Sequence, residues 1–257
     1  MSSRHPVGSN MIFDGVYYSV ISRIAKGPRM NVFKVNDSQG RVSVVKEIKE
    51  KDRWRFGEAE KEFQRQFCLS RISPFVVKAF DGYYDSKKPK TQRYLIHMEL
   101  ATHGSLAQYV RQHGPLQYHQ AWKFYTQIVS GLGKLHRHHE IHGDLFPRNI
   151  FVFSADECKI GDFGFSNSLD PNDESREHPD ELLQAEAVEL LCALDMLVFM
   201  LLGRTPRTAE NKKEYISFLR AATPEDYRKF VKRYPHWAQK MPESDFWYIQ
   251  HQFRPIA

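Results

Sequence analysis

The spacing of apolar residues changes from two to about 3.6 near Ala101, and this change constrains the fold more than any other feature. Upstream, Tyr17 to Ile24 and Asn31 to Val35 read as strands flanking a turn at Gly27-Pro28. Arg41 to Ile48 follows the polar turn Asn36-Asp37-Ser38-Gln39-Gly40, which completes an antiparallel meander. Arg53 to Ile72 carries Phe56, Phe63 and Phe67 at near-helical spacing and predicts an amphipathic helix; Val76 to Tyr84 and Arg93 to Leu100 predict two more strands. Downstream, Leu106, Tyr109 and Val110 predict a short helix stopped by Gly114-Pro115. Trp122 to His138 predicts a longer helix with Tyr125, Ile128, Leu132 and Leu135 on one side, and the pattern from Glu186 onward is helical. The expected fold is α+β, a small β-rich lobe over 13–100 and a larger α-helical lobe over 101–257, after a flexible N-terminus at 1–12.

A chain of 257 residues can form one large domain or two lobes sharing an interface. Its net charge of +6 is mild, and no Lys/Arg run is interleaved with aromatics, so nucleic acid is not an expected partner. Three widely spaced cysteines, Cys68, Cys158 and Cys192, argue against a disulfide framework and for a reducing compartment, cytoplasmic or nuclear. The first dozen residues, with Arg4, His5 and Pro6, lack a signal-peptide pattern. Leu190 to Leu202 is too short to span a bilayer and contains Asp195, so it is expected to be a buried core helix rather than a membrane insertion. His136, His138, His139 and His142 have no carboxylate or thiol placed to complete a zinc set.

The chemistry-bearing residues lie at the centre of the chain. Phosphoryl transfer needs metal ligands for a triphosphate, a cation on its phosphates and a carboxylate near the attacking hydroxyl. Asp144 and Asn149 lie five apart in His142-Gly143-Asp144-Leu145-Phe146-Pro147-Arg148-Asn149, on a loop after the long helix. Thirteen residues beyond Asn149, Asp162 sits in Lys159-Ile160-Gly161-Asp162-Phe163-Gly164. Between them, Ile150-Phe151-Val152-Phe153 and Cys158-Lys159-Ile160 predict two short strands that present both loops on one edge. Lys46, in the apolar strand Val44-Val45-Lys46-Glu47-Ile48, supplies a cation where burial would otherwise be costly.

On these motifs the chain resembles eukaryotic-type protein kinases over almost its whole length, which implies a bilobal protein-kinase-like fold. The resemblance implies that ATP and Mg²⁺ are bound. Lys46 would hold the α/β-phosphates, Asp144 would be the catalytic base, and Asn149 and Asp162 would be the metal ligands. Met98-Glu99-Leu100-Ala101 resembles the adenine-binding hinge, with Met98 as gatekeeper. Val32 and Val44 would roof the adenine and Phe151 would floor it.

Several positions depart from the family pattern. Ala25, Gly27 and Met30 stand where it has three glycines, and a side chain at 30 obstructs close approach of backbone N–H groups to phosphate. The helix glutamate that pairs with the lysine falls by spacing on Gln64, with Glu60 and Glu62 as alternatives. Gly143 replaces an arginine that senses a phosphorylated activation loop, which leaves Ser166, Ser168 and Ser175 without an obvious phosphate receiver. Phe146 replaces a lysine facing the γ-phosphate, and Arg148 occupies the position of the tyrosine-kinase catalytic-loop arginine. Glu189 stands where an aspartate braces the catalytic loop. His178-Pro179-Asp180 is a degraded Ala-Pro-Glu after a short, acidic activation segment.

Three functions stay open. The favoured one is an ATP/Mg-dependent protein kinase of Ser/Thr type acting on a protein hydroxyl. The second is a pseudokinase that engages a regulatory protein partner, and the third is a small-molecule kinase of the aminoglycoside/choline type.

Overall fold

Along the third strand burial alternates without a break: Asn31, Phe33, Val35 and Asp37 are buried and the residues between them are half-buried. The computed structural model describes residues 8–13, 15–50, 57–85, 92–168 and 180–203. Strands β1 (Asn10–Phe13), β2 (Val16–Lys26), β3 (Met30–Asp37), β4 (Val42–Glu50), β5 (Ala79–Tyr84) and β6 (Gln92–Met98) form one sheet. Its order is β1-β2-β3-β4-β6-β5 and every neighbouring pair is antiparallel.

The sheet curls until its edges meet. The Tyr83 hydroxyl of β5 donates to the Ile12 carbonyl of β1, and the Phe13 ring lies 4.9 Å from both Tyr83 and His97. The enclosed face holds Met11, Phe13, Val20, Phe33, Val35, Val45 and Leu95. Strand β1 therefore overlaps the stretch 1–12 expected to be flexible. Met11 and Phe13 are buried and Ile12 between them is exposed, so the three apolar residues give no alternation in the sequence beside polar Ser9 and Asn10.

The opposite face is covered by α1 (Glu58–Ile72), with Phe63 and Phe67 packed among Ala59, Tyr94 and Ile96. A Cβ at Gly82 of β5 would fall 2.7 Å from the Phe63 ring, so the helix approaches the sheet closely there. The expected strand Val76 to Tyr84 is shorter than its pattern suggested. Val77 N–H donates to the Ile160 carbonyl and Ile160 N–H to the Phe75 carbonyl, so this segment pairs across to the other lobe before β5 begins.

In the helical lobe, α2 (Leu106–His113) opens on a reciprocal capping box between Ser105 and Gln108 and closes on Gly114 at φ 78°. Helix α3 (Tyr118–Arg137) starts four residues before the expected Trp122 and buries Phe124, Tyr125, Ile128, Leu132 and Leu135. Strand β7 (Glu140–Ile141) pairs with β10 (Asn167–Ser168), and β8 (Ile150–Ser154) pairs with β9 (Glu157–Ile160). Helix α4 (Asp180–Leu202) begins six residues before the expected Glu186, and its Ala193, Leu194, Met196, Leu197, Met200 and Leu201 are buried in the lobe's core. No helix among the described residues is long and apolar enough to cross a membrane. The fold is bilobal α+β. Arg53, Phe56, the Ser86–Lys90 turn, the acidic segment through His178-Pro179 and everything after Gly203 lie outside the described residues.

Candidate functional site

Strand alternation sends Lys46 of β4 to the face opposite Val45 and Glu47, the face covered by α1. There its Nζ donates to Glu62 Oε1 at 2.6 Å and to Asp162 Oδ1 at 2.7 Å. Burial alone would depress this ammonium, but the two carboxylates more than offset it and raise the Lys46 pKa. Burial raises Glu62, with Lys46 opposing and Asp162 reinforcing. Burial also works against ionised Asp162, yet Lys46 holds its carboxyl below the ordinary range.

The helix partner is thus Glu62; the spacing that pointed to Gln64 is corrected. Gln64 is exposed, whereas Ala59, Glu62, Gln66 and Leu69 form the buried stripe of α1. Those intervals of three and four were the available signal: a helix that buries Ala59 and Leu69 must also turn residue 62 inward. Gln66 uses its place on the stripe to donate to the Val77 carbonyl, which fixes the start of the segment that crosses between lobes.

Asp144 and Asn149 meet on the loop between β7 and β8. Asn149 Nδ2 donates to both the Asp144 carboxylate and the Asp144 carbonyl at 2.7 Å. Arg148 Nη2 donates to the two carboxylate oxygens at 2.7 and 2.9 Å, and its guanidinium lies 4.3 Å from the centre of the Phe146 ring. Gly161 N–H donates to the Asn149 carbonyl, which ties this loop directly to the one carrying Asp162.

The loop is braced from below. Gly143 N–H donates to Glu189 Oε1 at 2.8 Å, and Glu189 Oε2 lies 2.9 Å from His136 Nε2. Buried His142 accepts from Asp144 N–H at Nδ1, which leaves Nε2 as the donor to the Gly161 carbonyl 3.1 Å away. Gly143 has φ +77°, and a Cβ there would fall 2.4 Å from the Phe165 carbonyl oxygen. Asp162 also has a positive φ, 66°, which is costly for a residue with a side chain. Among the described residues no group of His, Cys, Asp or Glu is gathered as a metal cluster, and His136 and His142 are engaged in these braces.

The expected adenine-contacting residues split between the lobes. Val32 pairs with Lys46 and Val44 with Met98 in the ladder, so the four share one face of the sheet. Ala25 and Gly27 lie at the end of β2 and in the following turn, where Gly27 N–H donates to the Met30 carbonyl. Met30 itself pairs with Ile48. Glu99 is tied to both lobes: its N–H donates to the Lys78 carbonyl, and its carboxylate accepts from Lys78 N–H and twice from Lys159 Nζ at 2.9 Å. The Lys159 and His136 contacts span 60 and 53 residues, and neither had a local signal in the sequence. Ala101 accepts from Gly104 N–H as the chain enters the helical lobe. Phe151 lies on β8 opposite Lys159, against the bare α-carbon of Gly161.

This assembly has relatives. A protein kinase domain model matches residues 18–184, and the chain belongs to that family. It is 31% identical over 159 residues to "Probable serine/threonine-protein kinase PknB" of Lactococcus lactis subsp. lactis (strain IL1403), covering 59% of this chain and 24% of that protein. It is 29% identical over 153 residues to human NUAK family SNF1-like kinase 2, covering 58% of this chain and 23% of that protein. A third relative is serine/threonine protein kinase OSK3 of Oryza sativa subsp. japonica, 32% identical over 114 residues, 44% of this chain and 22% of that protein. The chain spans about a quarter of the length of these curated relatives.

Proposed function

We propose that this chain is an ATP/Mg-dependent protein kinase of Ser/Thr type that transfers the γ-phosphoryl group to a protein hydroxyl. The observation that carries the reading is Lys46 held between Glu62 and Asp162, with Asp144 and Asn149 joined to the Asp162 loop through Gly161. In this reading Lys46 holds the α/β-phosphates. Asp162 and Asn149 offer hard oxygen donors that suit Mg²⁺: with the Asn149 NH₂ committed to Asp144, its amide oxygen is the group available to a cation. Bound Mg²⁺ neutralises charge on the phosphates.

Asp144 orients the acceptor hydroxyl and takes its proton as that oxygen attacks the γ-phosphorus and the β–γ bridging P–O bond breaks, releasing ADP. Arg148, anchored on Asp144 and on the Phe146 ring, supplies a planar cation for phosphate oxygens in place of the missing lysine. Val32, Val44 and Met98 enclose the base from the sheet side, Phe151 from the other lobe, and the backbone of Glu99 and Ala101 offers its hydrogen bonds. Ala25 and Gly27 cover the phosphates. Two of the relatives, from Lactococcus lactis and Oryza sativa, are named as serine/threonine protein kinases, which supports the Ser/Thr assignment.

The second reading, a pseudokinase that acts through a regulatory protein partner, is favoured by Met30, the β3 residue that follows the phosphate-covering turn where a glycine would be expected. Transfer from γ-labelled ATP to a generic protein acceptor, with Asp144→Asn as control, separates the two. Label transfer abolished by the substitution supports the kinase. Transfer indifferent to the substitution removes Asp144 as the base, and no transfer in the parent chain favours the pseudokinase.

A further inference from the structure

The curled sheet buries an ion pair for which the phosphoryl-transfer groups have no use. Glu47 is fully buried, one residue beyond Lys46 and on the opposite face of β4. Its Oε1 accepts from Asn31 Nδ2 at 2.8 Å and its Oε2 from Arg93 Nη1 at 2.7 Å. Asn31 stands directly opposite Glu47 in the β3–β4 ladder, and Arg93 reaches back from β6, where it pairs with Lys49. Three strands are thus joined through one carboxylate.

Their location is specific. Asn31 also pairs with Lys26, the last residue of β2, so the carboxylate lies at the base of the turn 27–29. The turn is held at two backbone points, Gly27 N–H to the Met30 carbonyl and Lys49 N–H to the Arg29 carbonyl, each 2.7 Å. Burying charge in an apolar barrel of Phe33, Val45 and Leu95 is costly, and such pairs are often matched in stability by apolar residues of similar volume. The backbone ladder already joins β3 to β4 and β4 to β6. The extra constraint falls on the turn whose glycines are reduced to Gly27, against which the Met30 side chain packs from the start of β3.

We propose that Asn31, Glu47 and Arg93 are positioning residues: a buried clamp that fixes the turn 27–29 at the height needed over the nucleotide phosphates. The clamp does for this turn by rigidity what a glycine-rich segment does by close backbone approach. It rests on the nucleotide-binding reading above.

The test compares the 257-residue parent chain with the apolar triple variant Asn31→Val, Glu47→Leu, Arg93→Met. The two readouts are the melting temperature without ligand and the Kd for Mg·ATP. The clamp predicts an unchanged or higher melting temperature together with Mg·ATP binding weaker by about tenfold. Equal affinity in a stable triple variant overturns it. Should the triple variant fail to fold, Asn31→Ser keeps the Glu47–Arg93 pair and is expected to weaken Mg·ATP by about threefold; unchanged affinity there overturns the clamp equally. A parent chain that does not bind Mg·ATP rejects the nucleotide reading itself, and the clamp with it.

Discussion

Lys46 on β4 and Glu62 on α1 are joined by a 2.6 Å hydrogen bond between nearly buried side chains, and the same ammonium reaches Asp162 at 2.7 Å. One cation therefore fixes a strand, a helix and the loop from the other lobe. The helix is docked inward and the metal-ligand candidate is turned toward the lysine. The site is preorganised through its central charge.

Glu62→Gln keeps the volume but removes the charge that balances Lys46. Because Asp162 still partners the ammonium, the expected loss of stability is about 1–3 kcal/mol rather than the larger cost of an orphaned buried charge. Thermal unfolding checks this. Gln64→Ala, on the exposed face, should fall within ~0.5 kcal/mol of the parent.

Stability should also depend on pH through His97, which lies 2.8 Å from Ser43 Oγ amid the Phe13, Tyr18 and Phe80 rings. Burial pushes its pKa down to about 4, against the opposing pull of Asp81 and Asp37. Above about pH 6.5 the imidazole is neutral in both folded and unfolded chains and contributes no pH dependence. As pH falls from there toward 4 the unfolded chain takes up the proton first, so stability drops by an amount on the order of 3 kcal/mol and then levels off. Denaturant melts across this range should show the slope in the parent and a reduced slope in His97→Gln.

Gly143 is where the structure best explains a departure from the family. With φ at +77° and the Phe165 carbonyl 2.4 Å from a would-be Cβ, no side chain fits without moving the loop that carries Asp144. Gly143→Ala should cost about 1–3 kcal/mol and reduce label transfer. Retained stability and activity in this variant would show that the loop tolerates a shift.

How much of this was legible in sequence depended on the range of each signal. Asp144, Asn149 and Asp162 are close in the chain and sit in dense motifs, so their grouping could be expected. The α2 and α3 helices followed from the spacing of Leu106, Tyr109, Leu132 and Leu135, although α3 began earlier because Ala121 and the residues before it continue the turn. Strand β1 was hidden because Met11, Ile12 and Phe13 form a short apolar run with no alternation; only the curl of the sheet separates buried Met11 and Phe13 from exposed Ile12. Counting along the chain pointed to Gln64 and left Glu62 only as an alternative, while the three-and-four spacing of Ala59, Glu62, Gln66 and Leu69 singles it out. The brace from His136 to Glu189 and the Lys159–Glu99 pair depend on tertiary placement alone.

The most direct test of the central claim is a titration of ATP into the parent chain and Asp162→Asn, each with and without Mg²⁺, followed by calorimetry or thermal shift. The account predicts that the parent binds ATP more tightly with Mg²⁺ and that the substitution removes the metal-dependent part. A parent chain that ignores ATP, or ATP binding indifferent to both Mg²⁺ and the charge at position 162, would contradict it.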